Sequence, residues 1–186
     1  MKQLDKQPVL ETERMRLRPL QEKDAERIQE YCGDLRIAEM TARIPHPYPE
    51  GAAAEWIELL QNRKTNEIVY GLTRRNEDEL LGVIGIHPTQ DGYAAEIGFW
   101  IGVPHWGEGY CTEAAAEVLR FCFEDLELLR VFAGHFAGNE ASGRVQQKVG
   151  MINEGTERWG IFRFGEPKDR VLYGIIRPEW EKLKRS

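Results

Sequence analysis

Apolar and basic side chains alternate from Arg14 to Leu20 (RMRLRPL), the period-two pattern of a strand with one buried face. The period then lengthens. Ala25, Ile28 and Cys32 fall on one side of a helix predicted over Glu22 to Tyr31, with Gly33 near its end. Three prolines between Thr41 and Gly51 (TARIPHPYPEG) rule out regular structure there. A second helix is expected from Glu50 to Asn62, where Ala53, Trp56, Ile57 and Leu60 share a face. Strand-like runs follow at Glu67 to Arg74, Leu80 to His87 and Tyr93 to Ile101, joined by the turn texts NEDE and PTQDG, and suggest an antiparallel meander. Thr112 to Phe123 reads as a third helix, Arg130 to Phe136 as a strand, and Glu140 to Lys148 as a fourth helix closed by Gly150. Met151 to Phe164, with a break near Gly155, and Arg170 to Ile176 read as the last strands. The order of elements implies a mixed α+β layer structure. With no internal repeat and no glycine- or serine-rich linker, residues 1–186 are expected to form one domain, the first ten as a loose polar extension.

Composition narrows the classes of function. Apolar residues make up 41% and charged residues 30% of the chain, which fits a globular protein rather than a disordered one. The balance of 31 acidic against 25 basic residues, net −6, disfavours a nonspecific grip on nucleic acid and suits a cationic or amine-bearing partner. No apolar run is long enough to span a bilayer, and MKQLDKQPVLETER is too polar for a secretory signal. The expected location is the cytoplasm, with no membrane partner. Cys32, Cys111 and Cys122 are an odd number in no metal-like spacing, so free thiols and no metal are expected.

The chemistry concentrates in EIGFWIGVPHWGEGYCTEAAAEVLRF, Glu96 to Phe121. Here a strand stops at Pro104, Gly107 and Gly109 flank Glu108, and a helix begins. Backbone N–H groups at a helix start carry partial positive charge, and glycines let an anion reach them without meeting a Cβ. A phosphate-bearing ligand fits such a turn. So does an ordinary tight connection, because glycine pairs are common punctuation. No Lys-Ser or Lys-Thr follows as a P-loop requires, and no third glycine completes a dinucleotide fingerprint.

The text on both sides of the turn, together with NEASGRVQQKVGM, LRPL, PHPYPEGAAAEWI and LYGII, resembles the GCN5-related N-acetyltransferase (GNAT) family. The likeness is to the branch of the ribosomal-protein alanine acetyltransferases. It covers nearly the whole chain and implies a mostly antiparallel mixed sheet of about seven strands, one pair splayed, with about four helices. The family's pyrophosphate loop falls on Trp106, Gly107, Glu108, Gly109, Tyr110 and Cys111; Trp106 departs from its polar first residue and Cys111 from its small last one. The resemblance implies that Gly107, Gly109, Tyr110, Cys111 and Thr112 offer N–H groups to the pyrophosphate of acetyl-coenzyme A. It places Phe99, Trp100 and Ile101 along the pantetheine arm with Asn139 facing them, and makes Ser142 the proton donor to the departing thiolate. Glu96 is the expected base, directly or through water, unless it only pairs with a basic neighbour; Asn139 to Ser142 also suit a plain helix cap. The N–H of Phe99 or of Trp100 would meet the developing oxyanion. Gln146 stands where many N-terminal acetyltransferases carry a tyrosine, and Trp159, Gly160 and Ile161 where alanine-specific relatives carry a carboxylate.

The expected reaction is direct transfer of an acetyl group to a primary amine in a ternary complex, by a monomer or homodimer. Acceptors are a protein N-terminus or a small amine. The other reading is a coenzyme A binding sensor or assembly protein without turnover. Cys111 at a helix start invites a nucleophile, but it sits at the phosphate end of the cofactor. His46, His87, His105 and His135 share no ligand spacing. Trp159, Phe162 and Phe164 suit an acceptor cleft, core packing or a dimer contact, and the loop from Pro45 to Pro49 suits a cleft wall or a connector.

Overall fold

A computed structural model of the chain describes residues 2, 6–62 and 64–185. Its strands are β1 (Leu10–Glu11), β2 (Met15–Pro19), β3 (Ile68–Arg74), β4 (Leu80–Pro88), β5 (Ala94–Ile101), β6 (Arg130–Phe136), β7 (Ile152–Arg163) and β8 (Glu166–Ile176). The helices are α1 (Ala25–Cys32), α2 (Leu35–Glu39), α3 (Ala52–Gln61), α4 (Tyr110–Glu124), α5 (Glu140–Lys148) and α6 (Arg177–Leu183), with single 3₁₀ turns at Glu22–Asp24 and Val103–His105. One eight-stranded sheet runs in the order β1-β2-β3-β4-β5-β6-β8-β7.

Every neighbouring pair is antiparallel except β5 and β6. Those two lie parallel and pair only from Ala94–Arg130 to Glu96–Phe132. Beyond Glu96 the strands part, so the second half of β5 has one free edge. This splay is the fold's main contribution to the site.

Both faces of the middle strands are covered, which is why β3 and β4 read as continuous apolar runs rather than as alternation. On one face Tyr70, Leu72, Ile84, Ile86 and Ile97 pack under α4 through Ala114, Val118, Phe121 and Cys122. On the other, Val69, Leu80 and Val83 pack under α1 and α3 through Ile28, Cys32, Ala53 and Ile57.

Several boundaries differ from the sequence reading. Residues 1 and 3–5 of the expected loose extension lie outside the described residues, but its end is held: Leu10 is buried in β1, and Gln7 Nε2 donates to Val69 O at 2.8 Å. Helices α2 and α6 and strand β1 add to the elements expected. The last two strands form one long hairpin, turned at Phe164 and Gly165, whose φ angles of 50° and 78° suit a two-residue hairpin turn. The break expected near Gly155 is a register shift between Asn153 and Gly155. Arg18, expected on the open side of a half-buried strand, is 2% exposed because Asp24 and Asp78 meet its guanidinium inside the fold.

Candidate active site

Helix α4 starts at Gly109, whose φ of +81° is left-handed, as is the +82° of Gly107. A Cβ added at Gly107 would meet nothing within 4 Å, and one at Gly109 only Arg14 Nη2 at 3.5 Å. The two glycines are therefore required by backbone conformation and leave open space above the loop. Trp106 N–H donates to Val103 O at 3.2 Å, and Thr112 and Glu113 both donate to Gly109 O at 3.1 Å. The N–H groups of Gly107, Glu108, Gly109, Tyr110 and Cys111 have no partner among the described residues. Five consecutive unpaired amides at the positive end of a fifteen-residue helix form an anion cradle. Thr112, expected to offer its N–H, uses it on Gly109 instead; Glu108 supplies the fifth free amide.

Arg14 braces this loop from the bend just before β2. Its Nη1 donates to Glu108 O at 2.9 Å, its Nε to Glu113 Oε2 at 2.6 Å, and its guanidinium lies 4.8 Å from the centre of the Tyr110 ring. Burial alone would raise the Glu113 carboxyl, but hydrogen bonds from the Thr12 hydroxyl and from Arg14 hold it below the usual carboxylate range. Trp106 folds back so that Nε1 donates to Ile101 O at 2.8 Å, tying the loop to the end of β5.

The cradle opens into a cleft of about 650 Å³. Its walls carry Phe99, Trp100, Ile101, Trp106, Gly107, Gly109, Tyr110, Cys111, Thr112, Asn139 and Ser142, which the sequence singled out. It also carries Ile37, Met40 and Thr41 from α2 and the turn after it, His105, and Arg144 and Lys148 from α5. Sequence reasoning missed these. For Arg144 and Lys148 the signal was present, two basic residues four apart on the helix that holds Ser142; for Ile37 to Thr41 it was not, because α2 is a single short helical stretch without clear periodicity.

Backbone direction along β5 follows from three hydrogen bonds. Gly102 N donates to Leu81 O at 2.8 Å and Thr89 N to Ala94 O at 2.9 Å, so even-numbered residues bond to β4. Leu129 N donates to Tyr93 O at 2.8 Å, so odd-numbered residues face β6. By the two-residue alternation of a strand, the N–H and C=O of Phe99 point into the splay, and those of Trp100 are used on Val83. Of the two oxyanion donors considered, geometry favours Phe99.

Across the splay, Asn139 caps α5: its Oδ1 accepts from Ser142 N at 3.2 Å, and its Nδ2 donates to Met40 O at 3.4 Å. The Ser142 hydroxyl is half-buried in the cleft wall and makes no hydrogen bond among the described residues. Gln146, one turn on, is 1% exposed and turned to the core, with Oε1 at 2.9 Å from His135 Nδ1. His105 Nε2 lies 3.1 Å from Tyr31 Oη, and burial pushes its imidazole below the usual range.

Glu96, Trp159 and Phe162 stand apart from the cleft. Glu96 does not line it; its Oε1 accepts from Arg170 Nη2 at 2.7 Å, the pairing that the sequence left as the other option for this carboxylate. Trp159 and Phe162 are 75% and 73% exposed on the β7–β8 hairpin, outside both the core and the cleft. Cys111 lies in the loop, where burial pushes its thiol up to about 12 despite the helix start that would lower it. A neutral thiol is no nucleophile. Cys111→Ala is accordingly expected to keep turnover within about twofold of the wild type, measured as thiol release from acetyl-coenzyme A; complete loss with the fold intact would reinstate the cysteine.

Comparison with known proteins agrees with this geometry. The model of the acetyltransferase (GNAT) domain matches residues 14–152. The chain is 33% identical over 175 residues to YoaA, an uncharacterised N-acetyltransferase of Bacillus subtilis (strain 168), covering 92% of this chain and 98% of that one. It is 26% identical over 178 residues to the [ribosomal protein uS5]-alanine N-acetyltransferase of Escherichia coli (strain K12), covering 92% of each. Among solved structures, a GNAT-family acetyltransferase from Bacillus anthracis superposes with a TM-score of 0.81 at 25% identity, over 91% of this chain and 98% of that one. The amide cradle, the splayed strands and these likenesses agree, and the chain belongs to the GNAT family of acetyltransferases.

Proposed function

We propose that this protein transfers an acetyl group from acetyl-coenzyme A to a primary amine, the α-amine of a protein N-terminus being the acceptor class, in a ternary complex without a covalent enzyme intermediate. The observation that carries the reading is the run of five unpaired amides from Gly107 to Cys111, opening into a cleft that ends at the free edge of β5. A diphosphate fits the amides, and an extended amide-bearing arm fits the strand edge beside Phe99 and Ile101, with Asn139 opposite. Arg144 and Lys148 add positive charge along the same wall.

Bound there, acetyl-coenzyme A would supply an electrophilic thioester carbonyl. The Phe99 N–H, directed into the gap by the strand register, would meet the negative charge that develops there, and the Ser142 hydroxyl, in the cleft wall, would hand a proton to sulfur. The protein N-terminus as acceptor rests on the uS5-alanine N-acetyltransferase among the relatives and on the net charge of −6. A cytoplasmic location follows from the same reading; among the described residues no helix is long and apolar enough to cross a membrane.

The test is thiol release from acetyl-coenzyme A with alanine-initiated peptides and a panel of small amines. Ser142→Ala is expected to lower kcat by tenfold or more while leaving acetyl-coenzyme A affinity unchanged. Tight binding of acetyl-coenzyme A with no acceptor-dependent thiol release for any amine would favour a sensor instead.

A further inference from the structure

Glu96 is bound to a cation, which leaves open where the acceptor's proton goes. The strand beside it offers another group. His87 on β4 lies directly across from Glu96 and, like it, is not among the residues that line the cleft, but its side chain is on the sheet face that carries Glu96, Gly98 and Trp100, the last a wall of the cleft. Its ring does not point away from the sheet. A Cβ at Gly85 would lie 2.9 Å from His87 Nε2, and one at Gly98 would lie 3.8 Å from the same atom. Gly85 is what allows the imidazole to lie flat, since a Cβ there would collide with it, and the ring reaches along β5 to within ordinary contact of Gly98.

The other ring nitrogen is held. His87 Nδ1 is 2.9 Å from Glu67 Oε1, and Arg43 Nη1 is 3.3 Å from both. Nδ1 has one in-plane position, and the shorter, charge-assisted contact with the carboxylate takes it as Nδ1–H donating to Glu67. Arg43 then bonds to the Glu67 carboxylate. This fixes the tautomer: the lone pair is on Nε2, the atom over Gly98. The charged groups around the ring are Glu67 before β3, Arg43 in the proline loop, Glu96 on β5 and, bound to Glu96, Arg170 on β8. From the 3.8 Å contact and standard backbone lengths, Nε2 is no more than roughly 8 Å from the Phe99 N–H, a gap that one or two waters span.

We infer that His87, oriented by Glu67, is the general base that takes the proton from the acceptor amine through water on the Gly85–Gly98 floor, with Glu67 as its positioning residue; this rests on the acetyltransferase reading above. In the step, Nε2 takes one proton from the ammonium form of the acceptor, the neutral nitrogen bonds to the thioester carbon, and its second proton passes to water as the amide forms. The carbon–sulfur bond breaks with its electron pair on sulfur, which gains one proton from Ser142, and solvent closes the exchange between the two side chains.

The test uses the full chain with acetyl-coenzyme A and three acceptors: an alanine-initiated peptide, a lysine-type amine such as n-butylamine, and aminoacetonitrile, which is already neutral at assay pH. His87→Ala is expected to lower kcat by about a hundredfold for the first two and by less than about tenfold for aminoacetonitrile, with acetyl-coenzyme A affinity unchanged. Added imidazole should restore part of the loss, because the space over Gly85 and Gly98 is vacated. Glu67→Gln should give a smaller loss of kcat at unchanged acetyl-coenzyme A affinity, which covers the case in which His87→Ala does not fold. An unchanged rate, or an equal loss on all three amines with no rescue, would overturn the assignment and leave the acetyltransferase reading standing. A wild type that binds acetyl-coenzyme A and releases no thiol with any of them would overturn both.

Discussion

Gly107→Val and Gly109→Val are each expected to weaken acetyl-coenzyme A binding at least tenfold, about 1.4 kcal/mol, and together about a hundredfold. Two causes act in the same direction. Both glycines hold left-handed backbone, φ +82° and +81°, which a β-branched residue adopts only at a cost. Relaxing to φ below zero would rotate the Gly107 to Cys111 amides out of their common direction, and the new side chain would occupy the space now open above the loop. The fold itself has little at stake, since nothing is displaced at Gly107 and only an arginine tip is met at Gly109. Gly51 provides the control. It holds φ +79° at the start of α3 with nothing within 4 Å of an added Cβ, so Gly51→Val carries the same conformational cost without touching the cradle. Calorimetric titration with acetyl-coenzyme A should therefore separate the loop glycines from Gly51. Equal affinities for all three variants, with circular dichroism unchanged, would remove the anion cradle as the binding determinant.

The loop was legible in the sequence because its physics is local. Glycine spacing, a strand before and a helix after mark a turn open to an anion or to a plain connection; the choice of amides came from the family resemblance, which named Thr112 where the fold frees Glu108, and Phe99, Asn139 and Ser142 came with the same resemblance. What sequence did not carry depends on contacts across the fold. The choice between the N–H of Phe99 and that of Trp100 needs the register of β4 against β5, which no local pattern encodes. Glu96 and Arg170 are 74 positions apart and meet only because β6 and β8 bring the two strands together. The same holds for His87 and Glu67, whose partnership follows from β3 and β4 pairing across Ile68 and Ile86. The β7–β8 turn was missed for another reason: Phe164 with Gly165 is an unusual pair for two left-handed positions, where Asn or Asp normally leads. Short helix α2, which brings Met40 and Thr41 to the cleft, has too few turns for periodicity to show.

Asp24→Asn is expected to destabilise the protein by about 3–5 kcal/mol, the largest effect of any single change outside the hydrophobic core. Arg18 and Asp24 are each 2% exposed, and Arg18 uses all five N–H donors. Nη1 and Nη2 reach the two Asp24 oxygens at 2.7 and 2.9 Å, Nε reaches Asp78 Oδ1 at 2.6 Å, and the carbonyls of Pro19 and Asp78 take the remaining two at 3.2 Å. Asp24 Oδ2 also accepts from Gln21 N at 2.8 Å, so the carboxylate holds both the strand and the entry to α1. Removing its charge leaves a buried guanidinium without its bidentate partner and with only the half-exposed Asp78 carboxylate against its charge, so most of the cation's desolvation is then uncompensated. Asp78 faces solvent at 47% exposure, and its pair with Arg18 and Lys23 is screened, so Asp78→Asn should cost no more than about 1 kcal/mol at neutral pH. Its carboxyl is held below the usual range by Lys23 and then Arg18, so that contribution is present at neutral pH and is lost as pH falls through the carboxylate range. The double change Arg18→Met with Asp24→Leu removes both charges and should recover most of the loss, because a buried pair gains little over apolar side chains of similar size. Urea and thermal unfolding distinguish these cases: at roughly 2–4 °C per kcal/mol for a chain of this length, Asp24→Asn should lower Tm by about 6–20 °C and Asp78→Asn by a few degrees. If Asp24→Asn unfolds within about 1 kcal/mol of the wild type, the pair is not closed to water, and β2 is the half-solvated strand that its alternating sequence suggests.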